Sequence, residues 1–258
     1  MAEQTHKNVA TVVRPKGASK LLLVCEHASN SIPDQFDQLG LDEDTLQSHI
    51  AFDPGALDLS VKLSGLLDAT LVHSGASRLL YDCNRPPEAS DAIPERSEIY
   101  DVPGNKGLSI EQRQERSRLF YEPFKQLLAT TLAQRSIATA IVTIHSFTPS
   151  YNGHARTVEL GVLHDSDTRL ADQLIALAPS HLSLVTKRNQ PYGPEDRVTH
   201  TLKLHGIKNG LLNVMLEVRN DLLATESQRT ALAQDLSELL AQACSACLSS
   251  SVVVGDAS

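Results

Sequence analysis

Lys20-Leu21-Leu22-Leu23-Val24-Cys25-Glu26-His27-Ala28-Ser29-Asn30 decides the fold class. After one lysine come five apolar residues with no polar alternation, the signature of a strand covered on both faces. The run ends in Glu26 and His27. Short apolar runs recur at residues 70–72, 78–81, 138–144, 157–163 and 211–216, and between them lie segments with helical spacing at 56–67, 109–135, 167–177 and 226–247. Strands alternating with helices of this length predict an α/β fold, a three-layer α/β/α arrangement around a mostly parallel mixed sheet. Residues 1–18 are polar and unpatterned and read as a flexible N-terminal lead-in, with residues 19–258 as a single domain. Residues 86–107 hold four prolines, two glycines and many charges. So long a loop inside a compact domain is expected to be a functional lid or wall.

The chain has 258 residues, enough to bury a large core without a disulfide or a structural metal. Its formal charge is −8, from 23 Lys and Arg against 31 Asp and Glu, and no basic stretch stands out. Nucleic acid and anionic membranes are therefore not expected partners. No apolar run has the length of a signal-peptide core or a membrane span, which predicts a cytoplasmic protein. Cys25, Cys83, Cys244 and Cys247 do not form a secreted-type framework and read as small buried residues. With 4% aromatics and no tryptophan, stacking platforms for bases or sugars are thinly supplied.

In open α/β sheets, ligands bind beyond the carboxyl ends of the strands. Four apolar runs deliver polar chemistry there: Glu26-His27, then Asp82-Cys83-Asn84-Arg85, then His145-Ser146, then Glu217-Val218-Arg219. His27 and His145 are candidate metal ligands, since neutral imidazole is a common partner of zinc. A catalytic zinc takes three protein ligands and keeps one position open. Asp53, just before a helix start, reads either as a helix cap or as the third ligand; Glu26 is the reserve candidate. Arg85 and Arg219 offer planar forks matched to a carboxylate and so point to a small anionic substrate. Salt bridges to Asp82 or Asp221 are the competing reading. His205, before Gly206, is a pocket candidate, whereas His200 reads as an exposed helix residue.

Five segments together, Cys25-Glu26-His27-Ala28-Ser29-Asn30, Ala51-Phe52-Asp53-Pro54-Gly55, Asp82-Cys83-Asn84-Arg85-Pro86, Ile144-His145-Ser146-Phe147-Thr148-Pro149 and Leu216-Glu217-Val218-Arg219, resemble the N-formylglutamate amidohydrolase family. The resemblance spans nearly the whole chain, in order. It implies a zinc-carboxypeptidase-like fold and zinc-dependent hydrolysis of an N-acyl amino acid, typically N-formyl-L-glutamate to formate and L-glutamate. A remoter similarity to zinc carboxypeptidases assigns His145 to the metal, Asn84 and Arg85 to the substrate carboxylate, and Glu217 to the general base. Those enzymes place a glutamate ligand three residues after the first histidine, where this chain has Asn30, and that departure strengthens Asp53. The expected site is thus Zn²⁺ on His27, Asp53 and His145, Glu217 as catalytic base, and Asn84, Arg85, His205 and Arg219 around the substrate. A hydrolase of another N-acyl amino acid, or a metal-free protein binding an acidic metabolite, stands as the alternative, in a monomer or small homo-oligomer.

Overall fold

The computed structural model describes residues 9–137 and 139–250. Seven strands build the main sheet: β1 Ala10–Val13, β2 Leu21–Cys25, β3 Thr70–Ser74, β4 Ala140–Phe147, β5 Leu160–Leu163, β6 Thr186–Arg188 and β7 Leu212–Arg219. Their order across the sheet is β1-β3-β2-β4-β7-β5-β6. The four central strands β3, β2, β4 and β7 run parallel, β1 pairs antiparallel to β3, and β5 pairs antiparallel to β7. The fold is α/β with a mixed, mostly parallel sheet.

Alternation along β2 shows why its residues had to be apolar throughout. Leu21, Leu23 and Cys25 join a core shared with helices α1 (Ala56–Leu67), α4 (Arg169–His181) and α5 (Glu226–Ser250). Leu22 and Val24 face the other way, onto Phe124 and Leu128 of α3 (Glu122–Ala133). With every β2 side chain buried, a polar residue at any of the five positions would lack water on either side. Helix α2 (Ile110–Arg116) starts at a capping box in which Ser109 and Gln112 exchange side-chain-to-backbone bonds, and a π-helical turn over Ser117–Tyr121 joins it to α3.

Two expectations need correction. Residues 78–81 form a turn, not a strand. Leu79, Leu80 and Tyr81 are buried in a satellite core with Ile93, Val102 and Phe120, which accounts for the apolar run without a sheet position. Within the segment expected as a flexible lead-in, Ala10–Val13 forms the edge strand β1; residues 1–8 lie outside the described residues, as does Ala138 at the start of the run expected over 138–144. The 86–107 segment folds its apolar residues Ala92, Ile93 and Val102 into that same satellite core, and from it Ser97 and Glu98 reach the pocket described below.

Candidate metal centre and active-site pocket

The carboxyl ends of β2, β4 and β7 meet at one pocket of ≈ 260 Å³. His27 lies two residues beyond β2, His145 is on β4, and Glu217 on β7 is the register partner of His145. Parallel pairing therefore sends those two side chains to the same face. Asp53 comes from the turn before α1. Its backbone N–H donates to the His27 carbonyl at 2.9 Å, and the Ser146 hydroxyl donates to the Pro54 carbonyl at 2.8 Å, so three distant segments are pinned around one point. Gly55 makes this turn possible: its φ is +79°, and a Cβ there would sit 2.5 Å from Leu223 Cβ.

His27 Nδ1, His145 Nδ1 and Asp53 Oδ2 converge. The two nitrogens are 3.2 Å apart, and Asp53 Oδ2 is 3.2 Å from His27 Nδ1 and 2.8 Å from His145 Nδ1. The outer nitrogens face carboxylates: His27 Nε2 lies 2.8 Å from Asp82 Oδ1, and His145 Nε2 lies 3.1 Å from Glu26 Oε2, without the alignment of a hydrogen bond. When the outer nitrogens carry the protons, two lone pairs and a carboxylate oxygen point at one another inside the protein, a repulsion that a bound cation would relieve. A tetrahedral ion about 2.0–2.1 Å from each donor needs donors roughly 3.3 Å apart, close to the separations found. Among the described residues this is the group of His, Cys, Asp or Glu able to hold a metal ion.

Asp53 does not cap its helix; α1 starts without a side-chain cap bond. Its Oδ1 lies 3.3 Å from Arg78 Nη1, and its Oδ2 accepts the Ser146 N–H at 3.3 Å. Arg78 also reaches Asp82 Oδ2 at 3.0 Å. Although burial opposes its charge, the two histidines hold the Asp53 carboxyl well below the usual carboxylate range. Burial and Arg78 pull His27 down, yet Asp82 and Asp53 outweigh them and leave it raised. Glu217 goes the other way: burial, against the pull of His145 and with help from Asp53, pushes its carboxyl up to about 7. Among the described residues its Oε2 has no hydrogen-bond partner, so the group is buried and poised to exchange a proton.

The remaining expected residues separate. Arg85 lines the pocket, with Nε 3.1 Å from Asp91 Oδ2 and Nη1 donating to the Asn84 and Arg197 carbonyls. Its partner is thus Asp91, and Asp82 belongs to His27 and Arg78. Asn84 lines the pocket too, but its amide donates to the Val198 carbonyl and accepts from Thr201 N–H, which ties the pocket wall together. Arg219 does not line the pocket; it pairs with Asp221 and Glu159. His205 is buried at 5% exposure in a π-helical turn, outside the pocket lining, and burial pulls it down to about 4. His200 is half-buried and bonds Tyr121 at 2.8 Å, so it is not an exposed helix residue. Sequence reasoning passed over Arg78 and Tyr192, both on the pocket wall. Arg78 opens a segment read as a strand, and Tyr192 lies in a loop with no periodic signal.

A buried two-histidine, one-carboxylate cluster beside a buried glutamate, at the carboxyl edge of such a sheet, is a donor set that could hold a metal ion. Comparison supplies the class. The family model described as N-formylglutamate amidohydrolase matches residues 19–224, and the chain belongs to that family of amide hydrolases. The gene product Atu2144 of Agrobacterium tumefaciens is similar in structure at a TM-score of 0.91 and 49% identity, over 93% of this chain and 96% of that one. An N-formylglutamate amidohydrolase of Ralstonia eutropha JMP134 shares the fold at a TM-score of 0.63 and 17% identity, over 90% of this chain and 96% of that one. Among curated proteins no match is found. No helix among the described residues is long and apolar enough to cross a membrane.

Proposed function

We propose that the chain is a zinc-dependent hydrolase of N-acyl amino acids that cleaves N-formyl-L-glutamate to formate and L-glutamate. The observation that carries this reading is the convergence of His27, Asp53 and His145 beside Glu217 in a pocket that also contains Arg85. Two imidazoles and one carboxylate are a donor set of catalytic zinc, which when bound acidifies water towards a pKa of about 7 and polarises a carbonyl. Asp82 holds the His27 imidazole through its outer nitrogen, and the Glu26 carboxylate faces the outer nitrogen of His145.

The residues of the chain divide the remaining work. Glu217 accepts the proton of the attacking water and returns it to the leaving nitrogen, a role suited to a carboxylate raised by burial. Arg85 anchors the substrate carboxylate: its Nε and Nη1 are committed, while Nη2 has no partner among the described residues. Arg78, about a third exposed and held by Asp53 and Asp82, supplies positive charge where the carbonyl oxygen becomes negative.

The test is release of formate and glutamate from N-formyl-L-glutamate by the purified protein, its loss on chelation, and its recovery with zinc. Unchanged turnover in the chelated protein would overturn the metal dependence. The same assay across pH reads Glu217. As a base it must be ionised, so activity falls as pH drops through its pKa. A nearby dication favours the carboxylate and lowers that value from about 7. The acidic limb of kcat/KM is therefore expected between the ordinary 4.5 and about 7. A rate independent of pH across that window contradicts the assignment.

A further inference from the structure

N-formyl-L-glutamate carries two carboxylates, and Arg85 accounts for one. Among the described residues, the other basic side chains on the pocket wall are Arg78, His27, His145 and His49. Arg78 is held by Asp53 and Asp82 and is assigned to the reacting carbonyl, while the imidazoles of His27 and His145 converge with Asp53 on the metal position. That leaves His49 for the second carboxylate.

His49 is firmly placed. Ile50 and Ala51, which follow it, are buried in the satellite core, and the Ala51 carbonyl accepts the Ser77 hydroxyl at 2.8 Å. The segment then runs into Asp53, whose N–H is tied to the His27 carbonyl, so one stretch of chain delivers both a metal ligand and this imidazole. The imidazole is poorly satisfied. Its Nε2 is buried and lies 3.1 Å from Glu98 Oε2 without the alignment of a hydrogen bond, and it has no hydrogen-bond partner among the described residues. A buried donor short of an acceptor is costly.

Glu98 lines the pocket from the tip of a hairpin that pairs Arg96–Ser97 with Tyr100–Asp101. Its φ is +51°, a region that L side chains rarely adopt and that persists mainly where a site demands it. The hairpin therefore brings a carboxylate to an imidazole on the pocket wall, in a partly exposed and off-axis contact.

We propose that His49 is the specificity-determining residue for the second carboxylate of the substrate, which takes the place of Glu98 on the imidazole. The assignment rests on the hydrolase reading above. One carboxylate leaves the imidazole as another arrives, so the exchange adds no uncompensated charge to the wall, and Glu98, at a hairpin tip, turns to water. The contact given up is misaligned and the one gained can align, which favours the substrate. An uncharged side chain of the same shape offers no charge to displace Glu98.

N-formyl-L-glutamate and N-formyl-L-glutamine, which differ only in that carboxylate, supply the test. The wild-type protein should favour the glutamate derivative at least ~10-fold in kcat/KM, near the lower end of what a hydrogen bond to a charged group supplies. In His49→Leu, which keeps bulk and loses the donor, the ratio should fall below about threefold through a higher KM for the glutamate derivative. Glu98→Gln removes the competing charge and should raise the ratio by lowering that KM; it also serves if the first variant does not fold. A wild-type protein without the preference, a ratio unchanged in the variants, or an equal loss for both substrates in His49→Leu overturns the assignment. A ratio that falls in Glu98→Gln overturns it too and makes the pair a structural latch. If the wild-type protein cleaves neither compound, the hydrolase reading itself fails, and this assignment with it.

Discussion

Asp53→Ala is expected to give a folded, inactive protein whose zinc affinity drops by more than the roughly 10–100-fold typical of residues that only orient a ligand. Asp53 Oδ2 is the atom that closes the triangle with the two imidazole nitrogens, 3.2 and 2.8 Å away. Without it two histidines remain, fewer than the three ligands of a catalytic zinc. The fold should survive, because Asp53 caps no helix and Arg78 keeps its contact with Asp82. Glu26→Gln provides the contrast. Glu26 sits behind His145, 3.1 Å from Nε2, so its loss disturbs the orientation of a ligand and not the count. It should weaken zinc by the smaller factor. Competition titration with a chromogenic chelator, alongside a thermal melt, separates the two. Intact zinc binding in Asp53→Ala together with its loss in Glu26→Gln would reverse the assignment.

Glu217→Gln should leave zinc in place and lower turnover by at least ~100-fold, the lower end of what general-base catalysis supplies. The amide matches the carboxylate in size and cannot take a proton. Because Glu217 is buried at 6% exposure and its Oε2 has no hydrogen-bond partner among the described residues, the exchange removes a costly buried charge and should not destabilise the protein. The acidic limb of the pH profile should disappear with the activity. Near-normal turnover with zinc bound would transfer the base role elsewhere, Glu26 being next to test.

Legibility in the sequence followed burial. Strands β2, β4, β5 and β7 announce themselves because their residues are buried on both faces and so must be apolar in succession. The edge strands do not. Every residue of Ala10–Val13 is half-buried, and Thr186–Arg188 is polar and largely exposed, so each depends on a neighbour's backbone more than on its own pattern. Residues 78–81 show the converse: an apolar run guarantees burial and not a sheet position.

At the site, residues at strand ends were readable because a strand fixes where its last side chains go. His27, His145 and Glu217 follow that rule, and the 53–55 turn is pinned to the same place through the His27 carbonyl. What required coordinates was the partner of each charge. Asp82 serves His27 and Arg78 and not Arg85; Arg219 pairs with Asp221 and Glu159 off the pocket lining; Asn84 spends both ends of its amide on backbone. These pairings join residues as much as 117 positions apart, a separation that no local pattern encodes.

X-ray absorption at the zinc edge, on protein purified without added metal, reads the proposed zinc ion on two imidazoles and one carboxylate. Close to one zinc per chain is expected, with nitrogen and oxygen neighbours at about 2.0–2.2 Å and none at the ~2.3 Å of a thiolate. A sulfur neighbour would place the metal on Cys25, Cys83, Cys244 or Cys247, and protein that takes up no stoichiometric zinc would contradict the account outright.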